Sequence, residues 1–303
     1  MDRLLADGHT VIGLDNLSTG TARNLAHLRD DGRFTLHEAD ICDGFSLAAP
    51  LDRLYNLASP ASPVDYARLG LETLDAGSLG VRAMLELALE KQARFLQAST
   101  SECYGDPTVH PQPESYYGNV NPVGPRSVYD ESKRFAEALV TAYHRYRGLD
   151  VRIARLFNTY GPRMRLDDGR ALPTLIGQAL RGAPLTVFGD GTQTRSFCYV
   201  SDTVEGLVRL MERDAGPGPV NLGNPDEVRI VDAAREVIEL ARSRSTIDFR
   251  PLPQDDPKQR RPDITRARTL LSWQPAISRR EGLRLTLDYI AATLESGRRA
   301  ERK

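Results

Sequence analysis

The sequence predicts a doubly wound α/β fold, a parallel sheet covered by helices on both faces, followed by a smaller C-terminal lobe. Three observations predict it. Short, continuous apolar runs alternate with helical stretches through the first half, the pattern of strands buried on both faces. Near residue 160 the texture changes: Gly161-Pro162-Arg163-Met164-Arg165-Leu166-Asp167-Asp168-Gly169-Arg170 is turn-rich and basic. The composition also allows a sizeable core, because 40% of the 303 residues are hydrophobic.

The elements follow in order. Residues 2–7 read as the last turns of a helix, ended by Gly8. His9 to Asp15 reads as a buried strand ending in an acid, and Leu54 to Ala58, Arg94 to Ser99 and Asp150 to Phe157 read as three more. Between them lie helical stretches over 78–91 and 127–147. Leu283, Leu287, Ile290 and Leu294 form one stripe of a C-terminal docking helix, with a solvated basic tail at 298–303.

Charge and composition exclude several classes. Lys+Arg 40 against Asp+Glu 41 gives −1, which argues against a nucleic-acid binder that relies on bulk charge. No apolar run approaches the ~18 residues of a membrane span, and residues 1–8 lack the apolar stretch of a signal peptide. Cys42, Cys103 and Cys198 are too few and too scattered for a disulfide framework or zinc cluster. The expectation is a cytoplasmic enzyme with no metal.

In a doubly wound fold the acid that holds an adenosine ribose lies about 20 residues beyond a glycine-rich turn. Asp15 is placed to be that acid, yet only 14 residues precede it, with Gly8 and Gly13 their sole glycines. The spacing predicts that the first strand and the phosphate-cradling loop fall outside this sequence. The alternative is a fold that starts with this helix and binds no dinucleotide.

Two constellations carry chemistry. Tyr129 and Lys133, at i and i+4, share one face of a helix. A neighbouring ammonium is expected to lower the phenol's pKa and make it a base, although the same pair would also serve as a packed aromatic beside a surface cation. Thr100-Ser101-Glu102 ends a predicted strand, and strand ends face the ligand crevice. Its hydroxyls could hold a substrate oxygen, or act as plain turn residues.

At this point a family resemblance enters. Ala98-Ser99-Thr100-Ser101-Glu102-Cys103-Tyr104-Gly105-Asp106 resembles the active-site strand of extended short-chain dehydrogenases acting on nucleotide sugars, the NAD-dependent epimerase/dehydratase family. The likeness runs from residue 2 to about 295. It includes Asp15-Asn16-Leu17-Ser18-Thr19-Gly20, Leu57-Ala58-Ser59-Pro60-Ala61-Ser62-Pro63, His110-Pro111-Gln112-Pro113-Glu114, Gly124-Pro125-Arg126-Ser127-Val128-Tyr129-Asp130-Glu131, Phe157-Asn158-Thr159-Tyr160-Gly161-Pro162-Arg163-Met164 and Gly189-Asp190-Gly191-Thr192-Gln193-Thr194-Arg195-Ser196-Phe197. Thr-Ser-Glu is the pattern of the UDP-glucuronate-decarboxylating branch. Related 4,6-dehydratases carry an Asp where Ser101 stands, and 4-epimerases usually lack the glutamate.

The resemblance implies a Rossmann-like, NAD-binding lobe over 1–160 plus about 195–220, and a sugar-nucleotide lobe over 161–194 and 221–303. It implies that Tyr129 takes a hydroxyl proton, that Lys133 steadies it, and that Thr100 binds the 4-oxygen. Ser101, Glu102 and Arg260 would handle the carboxylate, although Arg260 also reads as part of a solvated basic loop. Asp15, Asn16, Ser18, Thr19, Gly20, Asp40, Ile41, Leu57, Ala58 and Ser59 would join Tyr129 and Lys133 on NAD, and the acid at Asp15 favours NAD over NADP. Asn158, Thr159, Arg165, Arg170, Thr186 and Arg195 would line the UDP-sugar pocket. A homodimer through the 78–91 and 127–147 helices is implied. Departures include Asp75-Ala76-Gly77 for a usual Lys-Thr-Asn, Cys103 for valine, Asn56 for histidine and Ser132 for glycine. The alternatives are another 4-epimerase or 4,6-dehydratase, or a catalytically impaired binding homologue.

Overall fold

The structure, a computed structural model, describes residues 1–167 and 169–300, with side chains through 295. Helix α1 (Asp2–Ala6) turns through Gly8 into β1 (Val11–Asp15), which pairs in parallel with β2 (Phe34–Glu38), Val11 opposite Phe34 and Asp15 opposite Glu38. Next come β3 (Arg53–Asn56), α2 (Pro63–Arg68) and α3 (Gly70–Asp75). A wide π turn over Ala76–Gly80 then feeds α4 (Val81–Lys91), so the helix expected from residue 78 becomes regular only at 81.

The central strand β4 (Arg94–Thr100) leads through a short turn, Ser101–Tyr104, and a loop to α5 (Ser127–Arg147) and β5 (Val151–Leu156). Helix α5 has the bounds its sequence predicts. Asp130 stands in its first turn, His144, Arg145 and Arg147 in its last, which suits the helix dipole. Gly148, at φ +69°, closes it in the left-handed region.

The second half adds β6 (Thr159–Tyr160), α6 (Ala171–Arg181), β7 (Leu185–Phe188), β8 (Thr194–Ser196), β9 (Cys198–Tyr199), α7 (Val200–Glu212), β10 (Pro219–Leu222), β11 (Glu227–Arg229), α8 (Ile230–Leu240), β12 (Ile247–Arg250), α9 (Thr265–Leu271) and α10 (Arg279–Ala300). Helix α10 runs through the start of the expected solvated tail, and residues 301–303 lie outside the described residues.

The main sheet has the order β10-β5-β4-β3, parallel throughout, while β1–β2 is a separate parallel pair. Among the described residues no strand pairs with the other edge of β1 or of β3. Alternation along β4 and β5 sends side chains to two cores. Phe95 and Ile153 join Leu85 and Val140 under α4 and α5. Leu96 and Ala154 join Leu210, Leu222, Ile264 and Trp273 under α7 and α9. A third core gathers Leu172, Ile176, Val187 and Val237 with Leu283, Leu287 and Ile290 of the C-terminal stripe; Leu294 packs at its edge.

Candidate active site

Strand β4 and helix α5 bring the two predicted constellations together. Thr100 ends β4, and its Oγ1 accepts the Glu102 backbone N–H at 3.2 Å, which turns the chain so that Ser101 and Glu102 follow in a tight 3-10 turn. The Thr100 hydroxyl also hydrogen-bonds the Tyr129 side chain. Lys133 Nζ donates to Ala98 O at 3.1 Å and lies 5.7 Å from the centre of the Tyr129 ring. Tyr129 stacks on Tyr66 of α2, ring centres 5.2 Å apart and nearly parallel.

Burial governs the ionisation here. Tyr129 and Lys133 are buried. Burial pushes the phenol above its ordinary range despite the Thr100 hydrogen bond, and brings the Lys133 ammonium down to about 8. The expected lowering of the phenol's pKa by Lys133 is therefore corrected: loss of solvent dominates and raises it, and the Lys133 ammonium donates to the Ala98 carbonyl.

Glu102 has opposite surroundings. Burial works against its charge, but the Arg260 and Arg126 guanidiniums outweigh it and hold the carboxyl well below the usual carboxylate range. Arg126 Nη2 donates to Glu102 Oε2 at 2.7 Å, and Arg260 Nη1 lies 3.0 Å from Oε1. Arg260 is not a solvated loop residue. It is 1% exposed and also donates to Ser101 Oγ at 2.9 Å and Gly105 O at 3.0 Å. It reaches Ser101 because Gln112 clasps the segment beside it: Gln112 Oε1 accepts the Arg261 N–H, Gln112 N donates to Arg261 O, and Asp263 N donates to Gln112 O. Arg126, Asp130, Gln112 and Tyr66 are site neighbours the sequence reading did not single out. The one available signal was that Arg126 and Asp130 flank Tyr129 within a single helical turn.

The residues expected at the cofactor sit mainly at the ends of β1 and β2. Asp15 Oδ1 accepts the Leu17 N–H at 2.8 Å, and Asn16 Oδ1 accepts the Ser18 N–H at 3.1 Å. Asp40 accepts from Cys42 N and Asn16 Nδ2, with Ile41 buried beside it. Gly20 packs so close to Asp15 that a Cβ there would lie 3.2 Å from its Oδ2. Past β3, Leu57 is exposed, Ala58 and Ser59 partly buried. Gly77, one of the departures, lets the π turn press on α5: a Cβ would meet that of Ser132 at 2.6 Å. The donor set suits the ribose ends of a dinucleotide, with a carboxylate at Asp15 and a lysine–tyrosine pair at the other end. The glycine run that cradles a diphosphate is not among these 303 residues.

The six residues expected on the UDP-sugar are differently engaged. Arg170 contributes positive charge at Tyr129. Arg195, partly buried, donates to Asp256 Oδ2 at 2.8 Å, and loss of solvent lowers its pKa. Arg165 bridges Thr19 O at 3.0 Å and Asp65 at 3.3 Å, tying the loop after β1 to α2. Thr186 is held by Gln178, its N–H and its Oγ1 both at 2.9 Å. Thr159 bonds Phe157 O and Thr203 Oγ1, while Asn158 O accepts the Cys198 N–H. Among the described residues no group of His, Cys, Asp and Glu could hold a metal ion, and no helix is long and apolar enough to cross a membrane.

Residues 1–223 match the sequence profile of the NAD dependent epimerase/dehydratase family. UDP-glucuronic acid decarboxylase 1 of Arabidopsis thaliana is 51% identical over 95% of this chain, which spans 66% of that relative's length. UDP-glucuronic acid decarboxylase 5 of the same plant is 50% identical over 94% of this chain and 83% of its own. Among solved structures, UDP-glucuronic acid 4-epimerase of Bacillus cereus in complex with UDP-glucuronic acid and NAD superposes with a TM-score of 0.84, at 29% identity and covering 96% of this chain and 94% of its own. With a TM-score of 0.88, UDP-glucose 4-epimerase of Thermotoga maritima covers 97% and 94% at 28% identity. The chain belongs to the NAD dependent epimerase/dehydratase family.

Proposed function

We propose that this chain decarboxylates UDP-glucuronate to UDP-xylose through a 4-keto sugar, with NAD recycled. The observation that carries the reading is Arg260 seated on Ser101 and Glu102 directly after Thr100. A dehydratase would need an acid at position 101 to expel a hydroxyl, and a serine cannot supply it.

The chain's own residues divide the work. Tyr129 takes the proton of the sugar's 4-hydroxyl, and Thr100 holds the 4-oxygen. Lys133 fixes the tyrosine end of the site from beneath. Asp15, Asp40, Tyr129 and Lys133 would hold NAD, which when bound would supply the two-electron oxidation at C4 and its later reversal. The 4-keto group lies β to the carboxylate, so the C5–carboxylate bond breaks with its electron pair delocalised into the carbonyl. Ser101, Glu102 and Arg260 position that carboxylate, and C5 of the enolate left by CO2 takes a proton from Arg260 or from water. Asn158, Thr159, Arg170, Thr186 and Arg195 are assigned to the UDP-sugar, with Arg165 at the join between the two ligands.

A homodimer through α4 and α5 belongs to this reading, supported by exposed Phe135 and Tyr146 on α5 and Leu79 just before α4. Sedimentation equilibrium tests it. The cytoplasm is the assigned compartment, in keeping with three unpaired cysteines. The two lobes, 1–160 with about 195–220 against the remainder, are supported by largely distinct cores, although α9 packs on the sheet side and Tyr160, Phe197 and Tyr199 of the first lobe join the core of the second. The reaction is tested by mass analysis of products from UDP-glucuronate and NAD. A product lighter by one CO2 is expected; one lighter by water, or of unchanged mass, overturns the reading.

A further inference from the structure

The charged cluster beside Tyr129 holds hydrogen-bonding capacity that the reaction above leaves unused. Asp130 is 5% exposed, yet its Oδ1 has no hydrogen-bond partner. Arg126 Nε is likewise buried and unpartnered, although Nη2 of the same guanidinium donates to Glu102. The two residues stand four apart where α5 begins, with Asp130 N donating to Arg126 O at 3.1 Å, so their side chains share one face. The groups facing Asp130 are Glu102 after β4, Arg126 and Glu131 along α5, Tyr66 on α2 and Arg260 from the loop before α9. A buried carboxylate oxygen and a buried guanidinium N–H left unmet are each costly, and each would satisfy the other.

Resting on the decarboxylase reading, we propose that Asp130 is a positioning residue: it competes with Glu102 for the Arg126 guanidinium and thereby sets how much of Glu102's charge faces the sugar carboxylate. With Asp130 protonated, Glu102 keeps both Arg126 and Arg260. With Asp130 ionised, Arg126 divides its charge between Asp130 at Nε and Glu102 at Nη2, and only Arg260 remains wholly on Glu102. The less compensated Glu102 repels the neighbouring carboxylate and favours loss of CO2. Burial and the Glu102 charge hold the Asp130 carboxyl up at about 7 against the pull of the two arginines, so both forms are populated near neutrality.

Asp130→Asn keeps the shape and removes the ionisation. Dividing the parent's kcat by the variant's cancels what both share, Tyr129 and Lys133 included. The ratio is expected to be near one about a unit below neutrality and several-fold higher about a unit above it; a ratio independent of pH overturns the proposal. Thermal unfolding against pH gives a readout without turnover. Because the folded parent holds the Asp130 proton between the ordinary 3.8 and about 7, its stability falls across that window relative to Asp130→Asn and then stays level. In Glu102→Gln the like charge is gone, and the fall moves to lower pH; unfolding curves that neither variant changes overturn the proposal. If the parent releases no CO2 while the stability difference follows this course, the reaction reading fails and the competition stands. If CO2 is released and both pH differences are absent, the competition fails alone.

Discussion

Strands β4 and β1 both end in site residues, but they are held very differently. Phe95 and Leu96 of β4 are fully buried in two cores, and the strand has a partner on each side. In β1 only Val11 and Gly13 are buried, the strand pairs with β2 alone among the described residues, and its core is a small cluster of Leu5, Val11 and Leu28, with Leu14 at the edge of the core under α4 and α5. The groups assigned to bond-making therefore sit on rigid packing, while those assigned to the adenosine end sit where local opening is easiest.

That contrast can be broken or sharpened by experiment. Tyr129→Phe should lower kcat by about 10³–10⁴, on the order of 4–5 kcal/mol in the barrier, with thermal stability nearly unchanged; a large loss of stability instead would make the ring a packing element. Leu85→Ala, under β4, should cost about 3–5 kcal/mol in denaturant unfolding, and Leu28→Ala, under β1, about 2 kcal/mol. Equal costs would erase the difference between the two regions. Lys133→Met tests the burial of the lysine beside Tyr129. Its folded-state pKa, about 8, lies below the ordinary 10.5, so the cost of holding it charged is full below about 8 and gone above 10.5. The methionine variant should melt above the parent at neutral pH, and the margin should close as pH rises through that window. Asp15→Asn should weaken NAD binding about tenfold by calorimetry, about 1.4 kcal/mol, with little change in kcat. Hydrogen exchange should find β1 amides opening before those of β4, with the gap narrowed by NAD.

Much of the sheet was legible because its strands are continuous apolar runs and α5 is bracketed by a turn-rich start and Gly148. The Tyr129–Lys133 face and Thr100-Ser101-Glu102 were legible because each is a local spacing. Arg260 read equally well as a solvated loop, since it reaches Ser101 only through the grip of Gln112 on Arg261, 149 residues apart. Asp130 and Arg126 were passed over because a charged residue in the first turn of a helix ordinarily faces water. The phenol's pKa is hidden from the sequence for a similar reason: spacing shows that an ammonium is close, and only packing shows that both groups have lost their solvent.

Helix α5 carries Tyr129, Asp130 and Lys133, follows directly on Arg126, and further along places Glu137 on Arg155 and Ser99. At 1.5 Å per residue its 21 residues form a rod about 31 Å long. Side chains mounted on one rod keep their mutual spacing when the rod shifts. A change in how α4 or α3 leans on it re-aims the whole set at the sugar without detuning it, so such a scaffold can explore new substrates by tilting one beam and leaving every tool on it in place.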